Sequence, residues 1–193
     1  MVLEGTFHDQ YGSFPTGSYV RNPIGTEHAP WVEEDGCTIM VKLLQMADPS
    51  PAEKNTPTHI QWDQAKTEIG QFIEYGTYAQ IYINDRTGEM VEVCWVDPNA
   101  ILPADMKCIG GEELFIISGS LEIGDKPYGT SKVYHKWGWI RFPPKAAEEK
   151  TWQERQPLIA GVSGAIVYRK TGHLTDKARA MEKIQIKDDE SSL

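Results

Sequence analysis

Cysteine is scarce in this chain, positive charge is in deficit, and no long apolar run occurs. The three cysteines, Cys37, Cys94 and Cys108, are odd in number and widely spaced. That fits free thiols in a reducing cytoplasm better than a disulfide framework. No apolar stretch is long enough to cross a bilayer as a helix. The start, Met1-Val2-Leu3-Glu4-Gly5, lacks both the basic flank and the apolar core of a secretory signal, so a cytoplasmic protein is expected. Lysine and arginine number 19 against 28 acids, a formal charge of −9. Such a chain has no electrostatic footprint for nucleic acid and none for an anionic membrane surface. It also lacks a glycine-rich phosphate loop, a Gly-x-Ser-x-Gly elbow and a Cys-x-x-Cys pair.

What is present is β-pattern. Residues 79–97 form two β-rich runs around a turn at Asn84 to Gly88, with Val91, Val93 and Trp95 on one face and Glu92 and Cys94 on the other. Val2 to His8, Ser18 to Arg21, Cys37 to Leu44, Trp137 to Phe142 and Ala165 to Arg169 read as further strands. Glu113 to Ile123 reads as a strand pair. Short strands separated by turn residues predict an all-β sandwich or barrel. Residues 48–58 hold three prolines and have a linker composition. Thr175 to Ile184 predicts a helix before a polar end.

The chain also repeats itself. Val2-Leu3-Glu4-Gly5-Thr6-Phe7 parallels Ile116-Ile117-Ser118-Gly119-Ser120-Leu121. Ser18 to Pro23 parallels Gly138 to Pro143, setting Arg21 on Arg141. Gly36 to Lys42 parallels Gly164 to Lys170. The gap between the first two blocks is longer in the second copy, as a loop insertion makes it. The second copy has about forty residues of strand-like sequence before Gly119, on a simple reading of spacing, and the first has almost none before Gly5. The first copy is therefore expected to be the carboxy-terminal half of a barrel, completed by a longer protein or by a partner's strands.

Two stretches carry a family resemblance. Gly17, then Pro23-Ile24-Gly25-Thr26-Glu27-His28, resembles the second cupin motif. Leu102-Pro103-Ala104 through Gly110-Gly111-Glu112-Glu113 to Gly119 resembles the first. Tyr19 to Pro30 followed by Gly36-Cys37-Thr38-Ile39 is similar to the ChrR-like cupins, a branch with anti-sigma factor cupin domains and acetylacetone-type dioxygenases. The resemblance implies jelly-roll (RmlC-like) cupin barrels, one complete and one truncated. The implied domains are 1–47, a linker at 48–76, a second barrel at 77–173 and a tail at 174–193.

In such a cupin, two histidines on one strand face, a glutamate and a second-motif histidine hold one divalent metal, here zinc or iron. His28 falls on that last histidine. In the second repeat the two histidine positions hold Met106 and Cys108, Glu112 keeps the glutamate position, and Glu148 falls on the second-motif histidine. Sulfur ligands favour soft metals and carboxylates hard ones. The second repeat is therefore expected to have lost its metal and to serve as scaffold or ligand pocket. His8, His59, His135 and His173 are expected to be solvated or capping. Trp62, Trp95, Trp137, Trp139 and Trp152 are expected to pack or to line a cavity, and Arg21 and Arg141 to pair with carboxylates on outward faces.

The function implied is a metal- or small-ligand-binding cupin. Its enzymatic version is a metal-dependent dioxygenase acting on a small diketone or hydroxyketone. A ligand-sensing regulator and a degenerate structural bicupin are the alternatives. A homo-oligomer is expected. A sigma factor is a weaker candidate partner, since the helical zinc domain of the anti-sigma relatives has no counterpart in this sequence.

Overall fold

The structure is a computed structural model describing residues 1–23, 26–42, 58–68, 70–84, 88–103, 110–125, 130–142 and 157–173. The described residues are mainly β, as expected. They divide into two compact units with a boundary between Glu68 and Ile69.

Unit 1 contains β1 (Val2–Asp9), β2 (Gly12–Pro15), β3 (Ser18–Arg21), β4 (Cys37–Ile39), β5 (Thr58–Gln61) and helix α1 (Trp62–Glu68). One antiparallel sheet runs β2-β1-β4, and β3 pairs β5. Residues 58–68 are thus more than linker. Ile60 and Gln61 alternate along the edge of β3, and Trp62 and Ala65 bury one side of α1. Unit 2 contains β6 (Gln71–Ile73), β7 (Gly76–Asn84), β8 (Glu89–Val96), β9 (Ile101–Leu102), β10 (Glu112–Asp125), β11 (Thr130–His135), β12 (Trp139–Phe142) and β13 (Leu158–Thr171). Its sheet runs β11-β10-β13-β8-β7-β6, with β12 on β10 and β9 on β13. The expected hairpin is β7–β8, paired from Asn84 with Glu89 back to Gly76 with Val96. Its core face is the one that carries Glu92, Cys94 and Val96. Cys94 and Val96 pack with Leu114, Ile116, Leu121, Leu158 and Val167. Truncating one of these buried leucines to alanine costs about 2–5 kcal/mol.

Glu113 to Ile123 is not a strand pair. It lies within the single long strand β10, paired with β13 on both sides of Gly119. Gly119 sits at φ +75 where the register shifts, so the strand bends through a bulge without leaving its partner. A turn residue in sequence is a bulge in space because glycine enters the left-handed region at little cost.

The sequence repeat has the same register in both units. Val2 pairs Ile39 as Ile116 pairs Val167, Glu4 pairs Thr38 as Ser118 pairs Ile166, and Gly5 pairs Cys37 as Gly119 pairs Ala165. Phe7 faces Phe14 as Leu121 faces Tyr134. Positive φ angles coincide at Gly5 and Gly119, Gly17 and Trp137, and Gly36 and Gly164. The amide of Gly17 donates to Val2 at 3.1 Å, and that of Trp137 donates to Ile116 at 2.6 Å. The longer gap in the second copy falls between the paired residues Leu121 and Tyr134. The expected tail helix and residues 48–57 lie outside the described residues.

A Cβ on Gly119 would stand 2.1 Å from the Gly164 carbonyl oxygen, whereas one on Gly88, at the same φ of +75, meets nothing within 4 Å. Gly88→Ala is therefore expected to cost only the left-handed strain, about 1 kcal/mol. Gly119→Ala adds a backbone collision and is expected to cost roughly 3 kcal/mol or more. Urea unfolding midpoints of the two variants check the order.

Candidate functional site

Unit 1 builds a polar cluster around His28. On β1, Phe7 and Asp9 share one face and His8 takes the other. The chain returns past β1 at Trp31, whose amide and carbonyl exchange hydrogen bonds with His8 at 3.0 and 3.1 Å. The Trp31 and His8 rings stack, centroids 5.4 Å apart. That bridge pins the segment carrying His28. Gln10, in the β1–β2 turn, grips it from both sides: its Nε2 donates to the Glu27 carbonyl at 2.7 Å, and its Oε1 accepts from the Ala29 amide at 2.9 Å. Tyr11 adds its hydroxyl to the same Glu27 carbonyl at 3.2 Å.

His28 Nδ1 then lies 2.6 Å from Asn22 Nδ2 and 3.7 Å from Asp9 Oδ2. The Asp9 side chain is fully buried, while that of His28 is 37% exposed. Asp9 Oδ1 accepts from the Tyr11 amide at 2.7 Å. Asp9 Oδ2 and Asn22 Oδ1 are buried without a hydrogen-bond partner. The amide orientation of an asparagine is an assignment. With the Asn22 amide turned, an Nδ1–H of His28 donates toward both acceptors, and Nε2 keeps its lone pair. The sequence pointed to His28 alone. Asp9, Gln10 and Asn22 carry no motif, and only strand alternation on β1 sets Asp9 on the face of Phe7.

Of the residue set expected in unit 2, only Glu112 lies among the described residues. Met106, Cys108 and Glu148 lie outside the described residues. Glu112 is buried on the core face of β10, and its Oε1 accepts from Arg169 Nε at 2.8 Å. Glu92, across β13, brings Oε2 to 3.7 Å from Arg169 Nη1. Cys94 lies on the same face, fully buried. Burial pushes its thiol up to about 12; the Arg169 guanidinium pulls down, and Glu92 and Glu112 push up further. Burial also raises the phenol of nearby Tyr75.

Glu113 faces the opposite way from Glu112, as adjacent strand residues must. Its carboxylate meets His173 Nε2 at 2.8 Å and Arg141 Nε at 3.5 Å, and Lys170 Nζ meets Glu89 at 2.9 Å. Arg141 fits the expected outward carboxylate pair. His173 does not fit its expectation: it is buried against Glu113 because the chain stays on the sheet past the end of β13. His8 is buried too, bonded to Ser13 at 2.9 Å. His59 bonds Ser18 at 3.2 Å and meets Phe14 edge-on. Trp62 is buried, whereas Trp137 and Trp139 are exposed. Trp152 lies outside the described residues. Among the described residues, no group of three or more His, Cys, Asp or Glu is placed to hold a metal ion. No helix among them is long and apolar enough to cross a membrane.

Comparison with known proteins places a ChrR cupin-like domain at residues 1–47. The resemblance to the ChrR-like cupins is thus shown for that segment. Among solved structures, an acetylacetone dioxygenase from Acinetobacter johnsonii is similar at 9% identity and a TM-score of 0.39, over 49% of this chain and 58% of that one. A putative acetylacetone dioxygenase from Methylibium petroleiphilum is similar at 11% identity and a TM-score of 0.45, over 58% and 74%. The cupin domain of Cnp3 from Schizosaccharomyces pombe is similar at 17% identity and a TM-score of 0.38, over 54% and 70%. The chain thus spans little more than half the length of the Acinetobacter protein. Curated protein sequences gave no match.

The Cys94 environment has a pH consequence. An unfolded thiol ionises near its ordinary value of 9.0, while the folded one stays neutral to about 12. The stability this gives is fully present below pH 9 and is lost as pH rises from 9 toward 12. Cys94→Ala is expected to show a shallower alkaline loss of stability than the parent, measured by urea unfolding at pH 8, 9 and 10. In the native protein at pH 8, a thiol reagent is expected to leave Cys94 unmodified, read by peptide mass spectrometry.

Proposed function

We propose that the chain is a cupin-type binding protein whose small-ligand site lies at His28. The observation that carries this reading is a partly exposed imidazole whose Nδ1 faces the buried Asp9 carboxylate and the Asn22 side-chain amide. They orient the ring through Nδ1, and Nε2 is left to meet a ligand. A hydroxyl or enol, as in a hydroxyketone or a diketone, is the matching donor for that lone pair. The ChrR-like match over residues 1–47 supports the placement, since it covers His28, which the resemblance sets on the histidine of the second motif.

A divalent metal, zinc or iron, is what the resemblance implies at this histidine. The described donors do not suit it. Asp9 and Asn22 both address the Nδ1 side of the ring, and no third His, Cys, Asp or Glu joins them. The dioxygenase version of the function demands further ligands; ligand binding or sensing does not, and it is the version the geometry supports best.

The test is a calorimetric titration of the purified chain with acetylacetone and, separately, with zinc(II). Acetylacetone is expected to bind, weakened about 10-fold or more in His28→Ala and about 10-fold in Asp9→Asn, the scale of losing a residue that orients a ligand-binding histidine, and zinc(II) is expected not to bind at His28. Glu112→Gln is expected to leave acetylacetone binding unchanged. Equal binding by the parent and His28→Ala would refute the site.

A further inference from the structure

The resemblance assigns Glu112 to a metal, yet the carboxylate is already committed. We propose that Arg169 is the internal cation of unit 2, held between Glu92 and Glu112 in the charge-balancing role that a metal would fill. Three observations converge on this. The Glu112 carboxylate is buried and accepts from Arg169 Nε at 2.8 Å. The Glu92 carboxylate, from the strand on the other side of β13, lies 3.7 Å from Nη1 of the same guanidinium. All three side chains stand on the core face, in line with Cys94 and Val167. The register makes this a built arrangement: Glu92 pairs Arg169 directly, while Glu112 pairs Thr171, two residues along on the same face.

The chemistry of the group follows from its surroundings. A divalent ion at Glu112 would stand within reach of a fixed positive charge, and that repulsion opposes its entry. A planar guanidinium donates in fixed directions, cannot be deprotonated in a protein, and needs no exchange with solvent. Among the described residues of unit 2, Glu112 is thus met by a guanidinium in place of a metal. Glu112 acts as a structural partner of Arg169 and not as a ligand.

The experiment uses the full chain and reads unit 2 through Cys94, whose modification by a thiol reagent across a urea gradient is followed by peptide mass spectrometry. Three results are expected. Exhaustive chelation leaves the urea midpoint for Cys94 unchanged, and adding zinc(II) or iron(II) does not raise it. Glu112→Gln leaves the metal content, measured by elemental analysis, unchanged. Arg169→Met lowers the midpoint, and adding Glu92→Leu and Glu112→Leu to it restores most of the loss, because no buried charge is then left alone. A midpoint that falls on chelation, or a metal content that falls in Glu112→Gln, overturns the proposal. Neither of those readouts uses Arg169→Met, so they decide the matter even where that variant fails to fold. His28→Ala, made in parallel, separates a metal held in unit 1 from one held at Glu112.

Discussion

Arg169 and Lys170 are neighbours on β13 and point to opposite faces of the sheet. Arg169 meets Glu92 and Glu112 on the core face, and Lys170 meets Glu89 on the other. Each cation is buried, and so is each carboxylate. Taking such groups from water is costly, and an ion pair of this kind often adds little net stability over an apolar set of the same volume. Its effect is on register. A slip of β13 by one residue would carry Lys170 to the core face and Arg169 away from both its partners. The pairings of Arg169 with Glu92 and Glu112 and of Lys170 with Glu89 would then be broken together. The central three strands, β8, β13 and β10, are therefore fixed against one another by charge as well as by the fit of Leu114, Ile116 and Val167.

Around that fixed centre the glycines decide where the long strands bend. Gly119 lies against the Gly164 carbonyl and Gly5 against the Gly36 carbonyl, so closely that any side chain at either place meets a backbone oxygen. Both pairs sit where the strand register shifts, and both glycines hold a left-handed φ. The repeated feature is thus a two-glycine bulge joining two strands that are distant in sequence. This explains why glycines and their apolar neighbours recur together while much else between the copies differs. Trp137 makes the same point by exception. It holds at φ +69 the position that Gly17 fills in the first copy, with its side chain exposed, and the hydrogen bond to the matching strand residue is kept.

How much of this the sequence disclosed follows from the range of each interaction. Alternation and turn residues act within a few positions, so β1, β3, the β7–β8 hairpin and the β12 strand were legible. The repeat was legible because backbone constraint is written in glycines. Gly119 misled by the same logic: a lone glycine reads as a turn, and only a partner strand turns it into a bulge. Residues 58–68 misled because a proline-rich approach hid a strand and a helix whose reason is the edge of β3. The fate of Glu112 was not legible at all. Its partner, Arg169, stands 57 positions away, and no local pattern separates a glutamate that faces a metal from one that faces a guanidinium. His173 was hidden in the same way by Glu113.

The cluster at His28 depends on a different economy of means. A histidine in a loop is a poor site by itself, since its ring has several rotamers of similar energy. Here one side chain, Gln10, holds the backbone before and after it, a tryptophan bridge fixes the return of the chain, and a fully buried carboxylate stands behind the ring. All of these come from the first hairpin and the segment that crosses it, so the ring is oriented by unit 1 alone. A site held in this way requires no further strand to aim it, and what it meets on the Nε2 side decides its chemistry. Because the orienting groups crowd Nδ1, the chemistry of His28 is left to Nε2, whereas in unit 2 Glu112 is turned toward Arg169.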